Sequence, residues 1–92
     1  MKFKKNKIYY SDYNRGWLFR FHSLENGSRI MYYTCMEVGQ AYFNTANGEL
    51  GWGNKDTGNI REATPEEAYW LEQCEKAGSW VPKPETPVYE IF

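Results

Sequence analysis

The chain has 92 residues, of which 18% are aromatic and 25% charged, and its formal net charge is −1. That length allows one domain with a modest core, and the balance of apolar and charged residues excludes overall disorder. No apolar run approaches the ~20 residues of a membrane span, and the slightly acidic balance argues against a strongly basic nucleic-acid binder.

The first seven residues, Met1 to Lys7, are basic, but no apolar stretch follows them as a secretory leader would require, so a cytoplasmic setting is expected. Residues 7–13 read as a first strand, and Asn14-Arg15-Gly16 as a turn. The second strand, Trp17 to Leu24, is the clearest. Asn26-Gly27 then signals a two-residue hairpin, and Arg29 to Val38 forms the third strand. Gly39-Gln40 suits another tight turn, after which Ala41-Tyr42-Phe43 opens a fourth strand.

These two turns set a register. The first places Leu24 opposite Arg29, Phe21 opposite Tyr32 and Trp17 opposite Met36; the second places Phe43 opposite Met36. Directly opposed residues share a face. The expected core face is therefore Trp17, Phe19, Phe21, Ile30, Tyr32, Thr34, Met36 and Phe43. The expected outer face is Leu18, Arg20, His22, Leu24, Arg29, Met31, Tyr33, Cys35, Glu37 and Tyr42, a mixed rather than polar set.

Residues 44–59 are loop-rich, with Leu50 and Trp52 as a short strand and Asn59-Ile60-Arg61 as another. Thr64-Pro65-Glu66-Glu67 is a helix start: Thr64 caps, Pro65 fits the first helical position and Glu67 completes a capping box. Trp70, Leu71, Cys74 and Ala77 then fall on one helical face. Gly78 and Pro82 end the helix, with Trp80 and Val81 folding back over the domain. A Pro-rich linker, Lys83 to Pro87, leads to the β-prone tail Val88-Tyr89-Glu90-Ile91-Phe92. The expected fold is mainly β (α+β): a small antiparallel SH3-like barrel or curled meander with one C-terminal α-helix at about 65–77, occupying residues 1–82, followed by a linker and tail over 83–92.

The stretch Ile60-Arg61-Glu62-Ala63-Thr64-Pro65-Glu66-Glu67, continuing through Trp70-Leu71-Glu72, Cys74, Ala77-Gly78 and Val81-Pro82, resembles the ending of a family of small bacteriophage and prophage proteins, particularly of Bacteroidetes hosts. It covers about the last third of the chain. The resemblance implies a phage or mobile-element product acting in a bacterial cytoplasm. It brings no catalytic residues.

The residues themselves carry little catalytic chemistry. His22 is the lone histidine. A Cys-His pair would need Cys35 or Cys74 within hydrogen-bond reach, and a zinc site would need four spaced ligands. The expectation is thus no catalytic residue, no metal and no cofactor, with both thiols reduced. Charge is split: residues 1–30 carry +5 and the remainder −6. A split of this kind marks either an interaction surface or merely solvated termini.

Arg20, His22, Tyr33, Tyr42 and Trp52 mix cations with flat rings and form the candidate binding set. Aromatics, Met and Arg are enriched in protein interfaces. The leading expectation is a non-enzymatic binding module that occludes a host protein, an antidefence inhibitor in its sharpest form. The alternatives are a nucleic-acid-binding accessory protein, since rings and cations also stack bases and neutralise phosphates, and a protein that sequesters a nucleotide-like small molecule. The tail residues Val88, Tyr89, Ile91 and Phe92 are a candidate homodimer contact by strand addition.

Overall fold

The computed structural model describes residues 3–12, 15–25, 30–49 and 59–84, with backbone alone at 46–49. It shows five strands and a helix: β1 (Ile8–Ser11), β2 (Trp17–Glu25), β3 (Ile30–Glu37), β4 (Phe43–Glu49), β5 (Ile60–Glu62) and α1 (Pro65–Ala77). The strands form one antiparallel sheet in the order β4-β3-β2-β1-β5. The meander with one C-terminal helix is therefore as expected. The barrel is not: β4 and β5 stand at opposite edges of an open sheet.

The helix follows its sequence signals. Thr64 Oγ1 accepts from the Glu67 backbone N–H at 3.2 Å, and the Glu67 carboxylate accepts from the Thr64 N–H at 2.8 Å. Gly78 closes the other end in the left-handed conformation at φ 69°, where a Cβ is disfavoured. Trp70, Leu71 and Cys74 are buried, whereas Ala77 is exposed. Trp80 and Val81 do fold back. The Trp70 indole N–H donates to the Val81 carbonyl at 2.7 Å, and that of Trp80 to the Glu37 carbonyl at 2.9 Å. Gly16 enters β2 at φ 95°, and a Cβ there would lie 2.6 Å from the Tyr10 hydroxyl, so both backbone and space require glycine.

The β3–β4 register matches expectation, with Phe43 opposite Met36. The β2–β3 register does not. Glu25 pairs with Ile30, so the connection is residues 26–29 rather than a two-residue turn. Leu24 then faces Met31, still an even position of β2 against an odd one of β3. At His22 a bulge intervenes, and beyond it Phe21 faces Tyr33, Arg20 faces Thr34, Phe19 faces Cys35 and Leu18 faces Met36. A single extra residue in one strand inverts its faces relative to the neighbour.

The consequence is two cores, one on each side of the sheet. On the helix side, Ile8, Leu18 and Met36 are buried against Trp70, Leu71 and Cys74. On the other side, Tyr9, Phe19, Phe21, Met31 and Cys35 are buried, with Phe3, Trp17, Tyr33 and Ile60 packed on them. The expected single core face, which joined Phe19 and Phe21 to Thr34, Met36 and Phe43, is thus divided between the two sides.

Candidate functional site

The five candidate residues do not form one cluster. Arg20 lies on the helix side. Its guanidinium is held in a fork by Glu75, with Nε and Nη2 each 2.9 Å from a carboxylate oxygen, and Nη1 donates to the Asn6 carbonyl at 2.6 Å. Glu72 stands 3.9 Å away. The hydrogen bond to Glu75 raises the Arg20 pKa further above its ordinary value. A guanidinium held by this bidentate pair and a carbonyl is committed to the fold rather than offered to a ligand.

His22 sits at the bulge, with Nε2 2.6 Å from Thr34 Oγ1. Thr34 is 6% exposed, so the hydroxyl that the imidazole meets faces the interior. Cys35, expected on the same face as His22 though several residues along the neighbouring strand, is on the far side of the sheet with Phe19. Burial lifts its thiol pKa to about 11, which keeps it protonated and unreactive at neutral pH. Cys74 lies on the buried face of the helix, its thiol pKa likewise raised by burial. The two cysteines are free and separated by the sheet. Among the described residues no group of three His, Cys, Asp or Glu side chains is placed to hold a metal.

Tyr33 and Tyr42 remain together, on the ring side. Tyr33 is half-buried against Trp17 and Phe19, with centroids 5.8 and 6.2 Å away. Burial is the main cause of its raised phenol pKa, and Cys35 and Tyr42 add to it. Tyr42 is 42% exposed, and the Asn44 side-chain amide donates to its hydroxyl at 3.4 Å. Trp52 and Arg29 lie outside the described residues, as do Leu50 of the expected short strand and the candidate homodimer contact Val88, Tyr89, Ile91 and Phe92.

The ring side extends well beyond these two tyrosines. Phe3 lies over Tyr9, Phe19 and Phe21 at 5.0, 5.9 and 5.5 Å. Trp17 meets Phe19 at 4.9 Å, and Tyr9 stacks on Phe19 at 5.6 Å. Offset and edge-on contacts of this kind add about 0.5–1.5 kcal/mol per pair beyond area burial. Phe19 is thereby fully enclosed, while Phe3, Trp17 and Tyr33 are only half-buried. Among the described residues neither a helix nor a second sheet lies over this side. The site that the fold assembles is therefore Trp17, Tyr33, Tyr42 and Phe3. Sequence pattern missed Trp17 and Phe3 because the first was assigned to the core and the second to a solvated basic terminus.

The charge split also finds its partners within the chain. Lys7 meets Glu62 at 2.8 Å and Arg20 meets Glu75, each a cation of the basic segment with an acid of the later one. Arg61 pairs with Glu67 at 2.7 Å while its guanidinium lies 4.3 Å from the Tyr10 ring centroid.

Comparison of the chain with protein-family models, with curated proteins and with solved structures finds no match. Among the described residues no helix is long and apolar enough to cross a membrane.

Proposed function

We propose that the protein is a non-enzymatic binding module whose ring side, around Trp17, Tyr33 and Tyr42, docks a protein partner. The observation that carries this reading is the sorting of side chains by the His22 bulge. Phe3, Trp17, Phe19, Phe21 and Tyr33 collect on the side that, among the described residues, no helix covers, and Arg20 is held by Glu75 on the other. Partly exposed aromatics on a rigid sheet bury large area at low entropic cost, which suits a protein interface. The partner class is a host protein covered by this surface in a bacterial cytoplasm, as the likeness of the C-terminal third to phage proteins implies; inhibition of a defence protein is the sharpest form of that reading.

Nucleic-acid binding is the second reading. It retains the rings, and exposed Lys4 and Lys5 follow Phe3. It loses Arg20, the cation on which it most depended.

Capture from bacterial lysate separates the two. Wild type and Tyr69→Ala, an exposed helix position on the other side of the sheet, should retain a partner after nuclease treatment, and Tyr42→Ala should lose it. Binding led by apolar burial should weaken little as salt rises. Loss of every partner with nuclease, or a steep fall with salt, supports phosphate-led binding instead.

A further inference from the structure

The two edges of the sheet are built differently. β5 has three residues, two of them the charged Arg61 and Glu62, which are tied to Glu67 and Lys7, and the helix begins at Pro65 just beyond it. Short length and charge are the usual means of blunting an edge. β4 has seven residues, Phe43-Asn44-Thr45-Ala46-Asn47-Gly48-Glu49. It contains no Lys, Arg or Pro, and its pairing with β3 runs from Phe43 to Glu49 without a bulge. Among the described residues no strand pairs with its outer edge.

We infer that the outer edge of β4 is a self-association site, at which two copies pair β4 with β4 antiparallel about a two-fold axis at Ala46. The hydrogen-bonding phase supports this register. The Glu37 N–H donates to the Tyr42 carbonyl at 3.0 Å, which makes Glu37 and Tyr42 a bonded pair. Alternation then turns the backbone groups of residues 44, 46 and 48 toward β3, and those of Phe43, Thr45, Asn47 and Glu49 outward. An axis at Ala46 sets Phe43 against Glu49 and Thr45 against Asn47, so outward groups meet outward groups along the whole strand.

The residue pairing favours a second copy as the occupant. Glu49 is the single charged residue of β4 and falls opposite Phe43, so no like charges face each other. By its backbone phase Ala46 meets its own copy as a non-bonded pair. A two-fold contact of this kind is self-complementary and closed, and it leaves no further β4 edge to propagate. Ala46 lies opposite Tyr33 in the register, so pairing would also join the two ring sides into one surface. The inference stands independently of what that surface binds.

Sedimentation equilibrium over a wide concentration range tests it, with circular dichroism as the check on folding. The wild-type chain should show a reversible monomer–dimer equilibrium. Thr45→Pro removes an outward N–H without breaking a bond to β3, and should raise the dimer Kd at least about tenfold, or ~1.4 kcal/mol. Ala46→Lys places two ammonium groups across the axis and should weaken the dimer similarly; it decides the matter if Thr45→Pro unfolds. Ile91→Asp, in the tail, should leave association unchanged. A chain that stays monomeric throughout, a dimer indifferent to both β4 substitutions, or a dimer abolished by Ile91→Asp would each overturn the inference.

Discussion

The helix side and the ring side of the sheet are both cores, but they are closed by different means. On the helix side a separate element supplies the cover: Trp70, Leu71 and Cys74 descend onto Ile8, Leu18 and Met36, and the Arg20–Glu75 fork fastens the helix to β2. On the ring side, among the described residues, the sheet and the N-terminal Phe3 cover themselves. A side closed by an amphipathic helix presents that helix's charged surface to solvent. A side closed by its own rings leaves parts of those rings exposed, which makes it the side with something to offer a partner. The lesson is that a helix on one face of a small sheet leaves the other face to find its own cover.

The two sides differ most testably in their interiors. If the ring side is a true core, Phe19→Ala should destabilise by about 3–5 kcal/mol, at least as much as Leu71→Ala at about 2–5 kcal/mol, in chemical denaturation. A Phe19→Ala cost below about 1 kcal/mol, with Leu71→Ala still severe, would mean that the rings are only surface decoration. A smaller effect sharpens the role of Arg20. Arg20→Gln leaves Glu75 without its partner and should cost about 1 kcal/mol, since the pair is part-exposed and screened. It should leave partner capture intact, whereas Tyr42→Ala should do the reverse, changing stability by no more than about 0.5 kcal/mol.

The smallest effect concerns the helix start. Arg61, by its hydrogen bond, and the Thr64 cap hold the Glu67 carboxyl below the usual carboxylate range. A carboxylate more acidic in the folded than in the unfolded chain contributes stability above its unfolded pKa and loses it as pH falls through the folded one. Wild type should therefore exceed Glu67→Gln in thermal stability at neutral pH, by less than about 1 kcal/mol. The difference should vanish on acidification below the ordinary glutamate range. A difference that stays constant down to strongly acidic pH would show that packing rather than charge carries the effect.

Much of this fold was legible in the sequence; β4 runs on to Glu49 where a loop was expected, and the inversion of faces between β2 and β3 has one physical cause. Caps and breakers are local signals, so Thr64, Pro65, Glu67 and Gly78 marked the helix from Pro65 to Ala77 as observed. The Gly39-Gln40 turn gave the β3–β4 phase correctly, with Phe43 against Met36. Between β2 and β3 the alternation of side chains is as the sequence implies, but a bulge leaves no mark in a periodic pattern. The pairing from Phe21 to Trp17 therefore inverted, and with it the partners of Arg20, Thr34 and Cys35. The candidate site was accordingly half legible. Tyr33 and Tyr42 share a side, and the cations expected beside them do not. The mixed character of the supposed outer face was the available clue, because a sheet buried on both sides has no polar face.

The phase of β2 changes relative to β3 between Phe21 and Ser23, and cross-strand nuclear Overhauser effects between backbone Hα protons read that change directly. Phe21 and Tyr33, like Phe19 and Cys35, should show strong Hα–Hα contacts, since these are non-bonded pairs beyond the bulge. Contacts instead from Phe21 to Tyr32 and from Phe19 to Thr34 would restore Arg20 to the side of Tyr33 and contradict their separation by the sheet.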